Sequence, residues 1–179
     1  TYIDAVLITA DMLSKQRRGM LAVFSAVLMS SERLREIFDV VDGGIKLSML
    51  TLTSPVAYMN EKGPMGIYTK PMWGKNYKAK PTYHYMNLNE ILDLGTLPPT
   101  ALITSSGDIL ALKQTRRTAL ELKGRNIPVK LIDFAKFEGK NLPHVFSVLE
   151  PESKAGVLAI NNFIAMFRDI INEKTKVAD

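Results

Sequence analysis

The chain has 179 residues, 46% of them hydrophobic and 23% charged, with a net charge of +5, two histidines and no cysteine. That balance describes one globular domain with chain enough to bury a core. No apolar run approaches the ~18 residues that cross a bilayer, and without cysteine neither a disulfide framework nor a thiolate metal site forms. The excess positive charge has no nucleic-acid pattern: basic residues mix with acidic ones in RRTALELKGR and NEKTKVAD, or lie in the Tyr- and Pro-rich stretch YTKPMWGKNYKAKPTYHY. The opening TYIDAVLITADML carries an acidic residue where a secretory leader is basic, so the default expectation is a cytoplasmic protein with no leader.

In chain order, AVLIT (5–9) is a short β-branched run that reads as a strand. GMLAVFSAVLMSS (19–31) is apolar nearly all round, the pattern of a helix buried against a sheet, and SERLREIFDVV extends it or starts a second helix. Gly43 and Gly44 are expected to close that unit before IKLSMLTL (45–52), a second strand. Residues 54–99 differ in character, being rich in Pro, Gly, Tyr and Met with one helical piece at NLNEILDL, and they read as a long loop or lid-like segment. TALITSS (100–106), the amphipathic helix LALKQTRRTALELKGRN (110–126), the strand PVKLIDF (128–134) and the long helix SKAGVLAINNFIAMFRDIINEK (153–174) follow. Val157, Leu158, Ile160, Phe163, Ile164, Phe167, Ile170 and Ile171 recur along that last helix at helical spacing.

Strands alternating with helices predict a single α/β domain over residues 1–179, with a mainly parallel sheet, flanking helices and right-handed crossovers. Ligands in such folds sit beyond the carboxyl ends of the strands. Two loops leave those ends with polar cargo: SSGD after TALIT, and KFEGKNLPH after PVKLIDF. Asp108 and His144 are therefore expected on one rim of the sheet, from neighbouring strands. A carboxylate behind an imidazole fixes its tautomer and stabilises the imidazolium, which is the acid–base half of a hydrolytic triad. Each residue also has a plainer use, Asp108 as a helix N-cap and His144 as a loop histidine.

"LPPTALITSSGDIL", "ALELKGRNIPVKLIDF" and "LPHVFSV" together resemble the C-terminal third of the hormone-sensitive-lipase-like carboxylesterases, a family of α/β-hydrolases. Upstream, "GIKLSMLTLTSPV" is similar to that family's strand ending in Ser-Pro, and "RGMLAVFSAVLM" to the helix behind its nucleophile. The resemblance implies hydrolysis of carboxylic esters of short or medium acyl chains, Asp108 as the acid, His144 as the base and a small-molecule ester as substrate; two histidines far apart and scattered carboxylates give no metal-ligand spacing, so no metal or cofactor is expected. Val145 stands where the family has glycine after the histidine.

The family's G-x-S-x-G elbow has no counterpart. Aligned back from Gly19 the serine slot holds Gln16, and aligned forward from AVLIT it holds Met12. Ser14 is the hydroxyl between strand and helix, while Ser25, Ser30 and Ser31 are expected to serve the helix itself. The family's His-Gly-Gly oxyanion loop is also not found. The nucleophile is thus unknown, and two accounts stay open: a piece of an esterase, or a diverged, non-catalytic binding or interaction module. In either, AVLIT is expected at a bare sheet edge that calls for a homodimer, a partner chain or a rearrangement. His84, among the tyrosines of YHYMN, is expected to pack that loop onto the sheet.

Overall fold

The computed structural model describes residues 4–10, 17–59, 76–85 and 87–178. Four strands, β1 (Asp4–Ala10), β2 (Lys46–Thr53), β3 (Thr100–Ser105) and β4 (Val129–Phe134), form one sheet in the order β1-β2-β3-β4. Every pairing is parallel, with Ala10 beside Thr53, Thr53 beside Ile103 and Ile103 beside Ile132. The helices are α1 (Arg17–Ser30), α2 (Glu32–Phe38), α3 (Leu88–Leu92), α4 (Leu112–Gly124), α5 (Phe146–Leu149) and α6 (Lys154–Ala178). The chain is thus an α/β protein with flanking helices, as the alternating pattern predicts.

Successive side chains on a strand face opposite sides of the sheet, and the core divides accordingly. Leu50, Leu52, Leu102 and the partly buried Val129 face the larger cluster, where Val23, Val27, Leu34, Ile91 and Leu122 of the α1, α2, α3 and α4 helices meet. Ile103, with Ile132 and Phe134 beside it, faces the smaller cluster of Phe146, Ala155 and Ala159 from α5 and α6. All six residues of β3 are buried, its apolar centre Ala101–Ile103 flanked by the buried hydroxyls of Thr100, Thr104 and Ser105. On β4, at the sheet edge, no residue is fully buried, and Lys130 and Asp133 alternate with apolar neighbours.

Two helical expectations need correction. The first helix is not buried all round: Val23 and Val27 are sealed, yet Leu21 is 61% exposed, because only one side of α1 meets the sheet and α3. Gly43 and Gly44 do not end α2. Asp39 does, in the left-handed conformation at φ +51°, and Val40 N–H reaches back to the Arg35 carbonyl at 2.9 Å; a short polar side chain tolerates that backbone. On α6, which does form as the spacing predicts, the apolar residues divide by burial. Ala155 and Ala159 are buried, whereas Val157, Leu158, Ile164 and Ile171 are each more than 40% exposed.

Ser30 and Ser31 serve the helices, as expected. The Ser31 hydroxyl caps α2 by accepting from Leu34 N–H and donates to the Leu94 carbonyl, while Ser30 hydrogen-bonds Thr96. Between β2 and β3, residues 60–75 and 86 lie outside the described residues, and the GIYTKPMWGK part of the long loop falls among them. The described remainder is packed down. Tyr58 bridges Asn87, the Gln114 side chain of α4 accepts from Ala57 and Tyr58 N–H, and Tyr77, Tyr83 and Tyr85 rest on the larger cluster. Among the described residues no helix is long and apolar enough to cross a membrane.

Candidate active site

Beyond the carboxyl end of β3 the chain turns sharply through Ser106 and Gly107. Ser106 N–H still bonds the Phe134 carbonyl of β4 at 2.7 Å, and Asp108 N–H closes the turn onto the Ser105 carbonyl at 3.0 Å. The Ser105 hydroxyl donates to the Leu142 carbonyl at 2.6 Å, so the β3 exit holds the histidine loop directly. Gly107 makes this approach sterically feasible: a Cβ there would lie 2.3 Å from the Leu142 carbonyl oxygen, far inside van der Waals contact.

Leaving β4, the loop makes a tight turn in which Phe137 and Lys140 exchange backbone hydrogen bonds. It then passes Leu142 and Pro143 to His144. Val145 follows with φ +52°, a strained backbone for a β-branched residue and the reason glycine suits that place. Its side chain is nonetheless buried. Phe146 opens α5 and packs edge-on against Phe134, ring centroids 5.1 Å apart, which ties the loop to the sheet on both sides of the histidine.

These two loops bring Asp108 and His144 together. Asp108 is fully buried, and its Oδ1 lies 2.9 Å from His144 Nδ1. The same oxygen accepts from Leu110 N–H at 3.2 Å and Ala111 N–H at 2.9 Å, so Asp108 organises the turn into α4 as well as facing the imidazole. Asp108 is not the N-cap of α4, a place that Ala111 holds without a side-chain cap bond; its carboxylate instead accepts from the turn that precedes the helix. Burial pushes its pKa up, but the hydrogen bonds with His144 and Ala111 N–H, together with the nearby Ser54 side chain, outweigh burial and hold it below its ordinary value. A carboxylate only accepts, so the pairing places the proton of a neutral His144 on Nδ1 and leaves the Nε2 lone pair free. Nε2 is buried and, among the described residues, has no hydrogen-bond partner. An unpaired, buried basic nitrogen oriented by a carboxylate is equipped to take a proton from a hydroxyl or water brought to it.

Two residues escaped the sequence reading as site residues. Thr53 and Ser54 leave β2 at the same rim: Thr53 Oγ1 and Ser147 Oγ lie 3.3 Å apart, and Ser54 Oγ accepts from Val145 N–H at 3.4 Å. The Ser-Pro at the strand end was the available signal. His84 is exposed and packs its ring against Tyr83, apart from this cluster. Residues 11–16, with Met12, Ser14 and Gln16, lie outside the described residues. The strand that leads into them ends at Ala10, which pairs with Thr53. Among the described residues no group of three His, Asp or Glu side chains is arranged to hold a metal ion.

No family model matches the chain, and no curated protein matches it. Solved structures do. Esterase B from Lactobacillus rhamnosis superposes with a TM-score of 0.76 at 20% identity, over 89% of this chain and 52% of that one. The same esterase inhibited by a tributyrin phosphonate gives 0.78 with the same identity and coverage. The acetyl ester-xyloside bifunctional hydrolase from Caldicellulosiruptor lactoaceticus gives 0.53 at 14% identity, over 89% of this chain and 67% of that one. The chain thus spans about half the length of the esterase B structures it is similar to.

Replacing Gly107 with alanine should drive the β3 exit away from Leu142 and lower stability by about 1–3 kcal/mol, the usual cost of overpacking. Denaturant unfolding measures it, with His144 side-chain shifts reporting the loss of the Asp108 contact. Asp108→Asn should cost about 1–3 kcal/mol at neutral pH. Because the folded pKa of Asp108 is depressed, its contribution is fully present above the ordinary value near 3.8 and is lost as pH falls through the lower folded value. The stability gap between wild type and Asp108→Asn should therefore be widest near neutrality and close in acid; a gap constant down to about pH 2 would contradict the depressed pKa.

Superposing at TM-scores of 0.76 and 0.78 over 89% of its length, the chain has a partial α/β-hydrolase fold, the fold of the esterases to which it is similar.

Proposed function

We propose that this chain carries the acid–base half of a carboxylic-ester hydrolase related to the hormone-sensitive-lipase-like carboxylesterases, acting on small esters of short or medium acyl chain. The observation that carries this reading is the buried Asp108–His144 hydrogen bond of 2.9 Å with Nε2 unpaired behind it. Support comes from the esterases of similar fold, one of them solved with a tributyrin phosphonate inhibitor.

In this mechanism Asp108 holds the imidazole with Nδ1–H toward itself and stabilises the positive charge that forms. His144 Nε2 accepts the proton of the attacking hydroxyl and returns it to the departing alkoxide. The nucleophile is unassigned. Its expected place is the connection from β1 to α1, residues 11–16, whose single hydroxyl is Ser14. Residues 54–99 are the lid-like segment of the single domain on this reading.

A fluorophosphonate probe should label the purified chain, and His144→Ala should abolish the labelling. Peptide mass spectrometry of the adduct identifies the nucleophile. Labelling that persists in His144→Ala would remove this histidine from the reaction.

A second reading is favoured by β1, whose outer edge pairs with no strand among the described residues. An unpaired parallel edge is a template for another chain, and a non-catalytic binding or interaction module would use it for a homodimer or a partner. That reading expects no turnover of p-nitrophenyl esters together with a stable dimer or complex by light scattering. A monodisperse, well-folded monomer would count against it.

A further inference from the structure

Asp108 Oδ2 and His144 Nε2 are the two buried atoms of the pair without a hydrogen-bond partner among the described residues. The orphan nitrogen is accounted for by the proposed reaction, in which it waits for a proton. The orphan oxygen is not. A buried carboxylate oxygen left unsatisfied costs roughly 1–3 kcal/mol or more, and a donor is expected close by.

Ser54 has the uncommitted proton. It is 1% exposed and follows the last residue of β2. Its φ of +51° lies in the left-handed region that serine adopts at a cost. Its own N–H is fixed on the Ile103 carbonyl of β3 at 2.8 Å. Its Oγ accepts from Val145 N–H at 3.4 Å, the residue next to the histidine and itself at φ +52°. With Oγ engaged as acceptor, the hydroxyl hydrogen is left to donate, and the side chain lies near enough to Asp108 to favour the carboxylate's ionised form.

Two non-glycine residues in left-handed backbone, facing one another across a hydrogen bond beside a buried ion, are strain concentrated in one place. Such strain persists only where surrounding contacts over-determine it. Here those contacts are the Ser54 N–H bond to β3 and the neighbouring Thr53–Ser147 hydroxyl pair.

We infer that Ser54 is a positioning residue for the proposed acid–base pair: its hydroxyl links the Asp108 carboxylate to the backbone beside His144, closing a ring of contacts through Asp108, His144, Val145 and Ser54. It holds the carboxylate in the plane of the imidazole and keeps the Nδ1–H tautomer populated without touching substrate. The inference rests on the Asp108–His144 reading, and the test separates the two.

The chain's two histidines make that test direct, because exposed His84 serves as an internal reference in the same sample. Imidazole ¹⁵N spectra of the intact chain are recorded for wild type, Ser54→Ala, Ser54→Gly and Ser54→Thr. Ser54→Gly removes the hydroxyl while relieving the left-handed backbone, so it guards against loss of folding. In wild type, His144 should be chiefly the Nδ1–H tautomer. In Ser54→Ala and Ser54→Gly the ratio of Nδ1–H to Nε2–H should fall about two- to tenfold, the range one hydrogen bond spans. His84 should not change, and Ser54→Thr should recover part of the ratio. An unchanged His144 ratio in both hydroxyl-deleted variants would overturn the inference while leaving the pair intact. Loss of folding in both would also overturn it, making Ser54 a packing residue. Wild-type His144 without the Nδ1–H preference would instead sink the Asp108–His144 reading.

Discussion

One hydrogen bond, between a buried carboxylate on the β3 exit and an imidazole on the β4 exit, sets the demands that the surrounding structure meets. A carboxylate removed from water must be compensated or it takes a proton. Asp108 is compensated by the Leu110 and Ala111 N–H groups in the turn before α4 and by the His144 ring, with the Ser54 side chain nearby. The turn into α4 thus does two jobs, leading the chain into the helix and presenting the Leu110 and Ala111 N–H groups to the carboxylate.

Holding the pair at 2.9 Å takes more than two strands lying side by side. Adjacent parallel strands place their exits at one rim, but the loops beyond them are free to splay. Here they are bound by the Ser105 hydroxyl on the Leu142 carbonyl and by Gly107, whose missing side chain lets the two backbones meet. On the far side of the histidine, Phe146 packs on Phe134, and β2 contributes the Thr53 and Ser54 hydroxyls. Three consecutive strands therefore converge on one loop. That convergence explains why a strained Val145 is tolerated: its buried side chain and the contacts around it offset a backbone that glycine would adopt freely.

The sheet is covered unequally. The face toward α1, α3 and α4 holds a broad apolar core, and the face toward α5 and α6 a small one in which Ile103 and Phe146 are central. The candidate site stands at the end of the thinner layer. Along α6, Val157, Leu158, Ile164 and Ile171 stay substantially exposed, so the helix contributes to the site through its first turns, where Ala155 and Ala159 lie against the sheet. β1 sits at the other edge of the described sheet, where Ala10 ends beside Thr53 of β2.

The residue order by itself determined the class of fold, because period-2 apolar runs and period-3.6 runs alternate and a parallel sheet is the arrangement that joins them. It also determined that Asp108 and His144 leave neighbouring strands at one end, since direction and adjacency follow from the crossovers. What only the tertiary structure decided was contact. Whether two loops meet depends on a glycine facing a carbonyl 35 residues later, as Gly107 faces Leu142, and on hydroxyls from a strand more than 90 residues before His144's neighbours, as Ser54 and Thr53 show. Helix ends and exposure belonged there too. Asp39 rather than the glycine pair stops α2, and the apolar residues of α6 part into buried and exposed sets, because burial depends on which surfaces are present to cover a side chain. Local sequence encodes a residue's preference; only the assembled sheet supplies the neighbours that decide whether that preference is met.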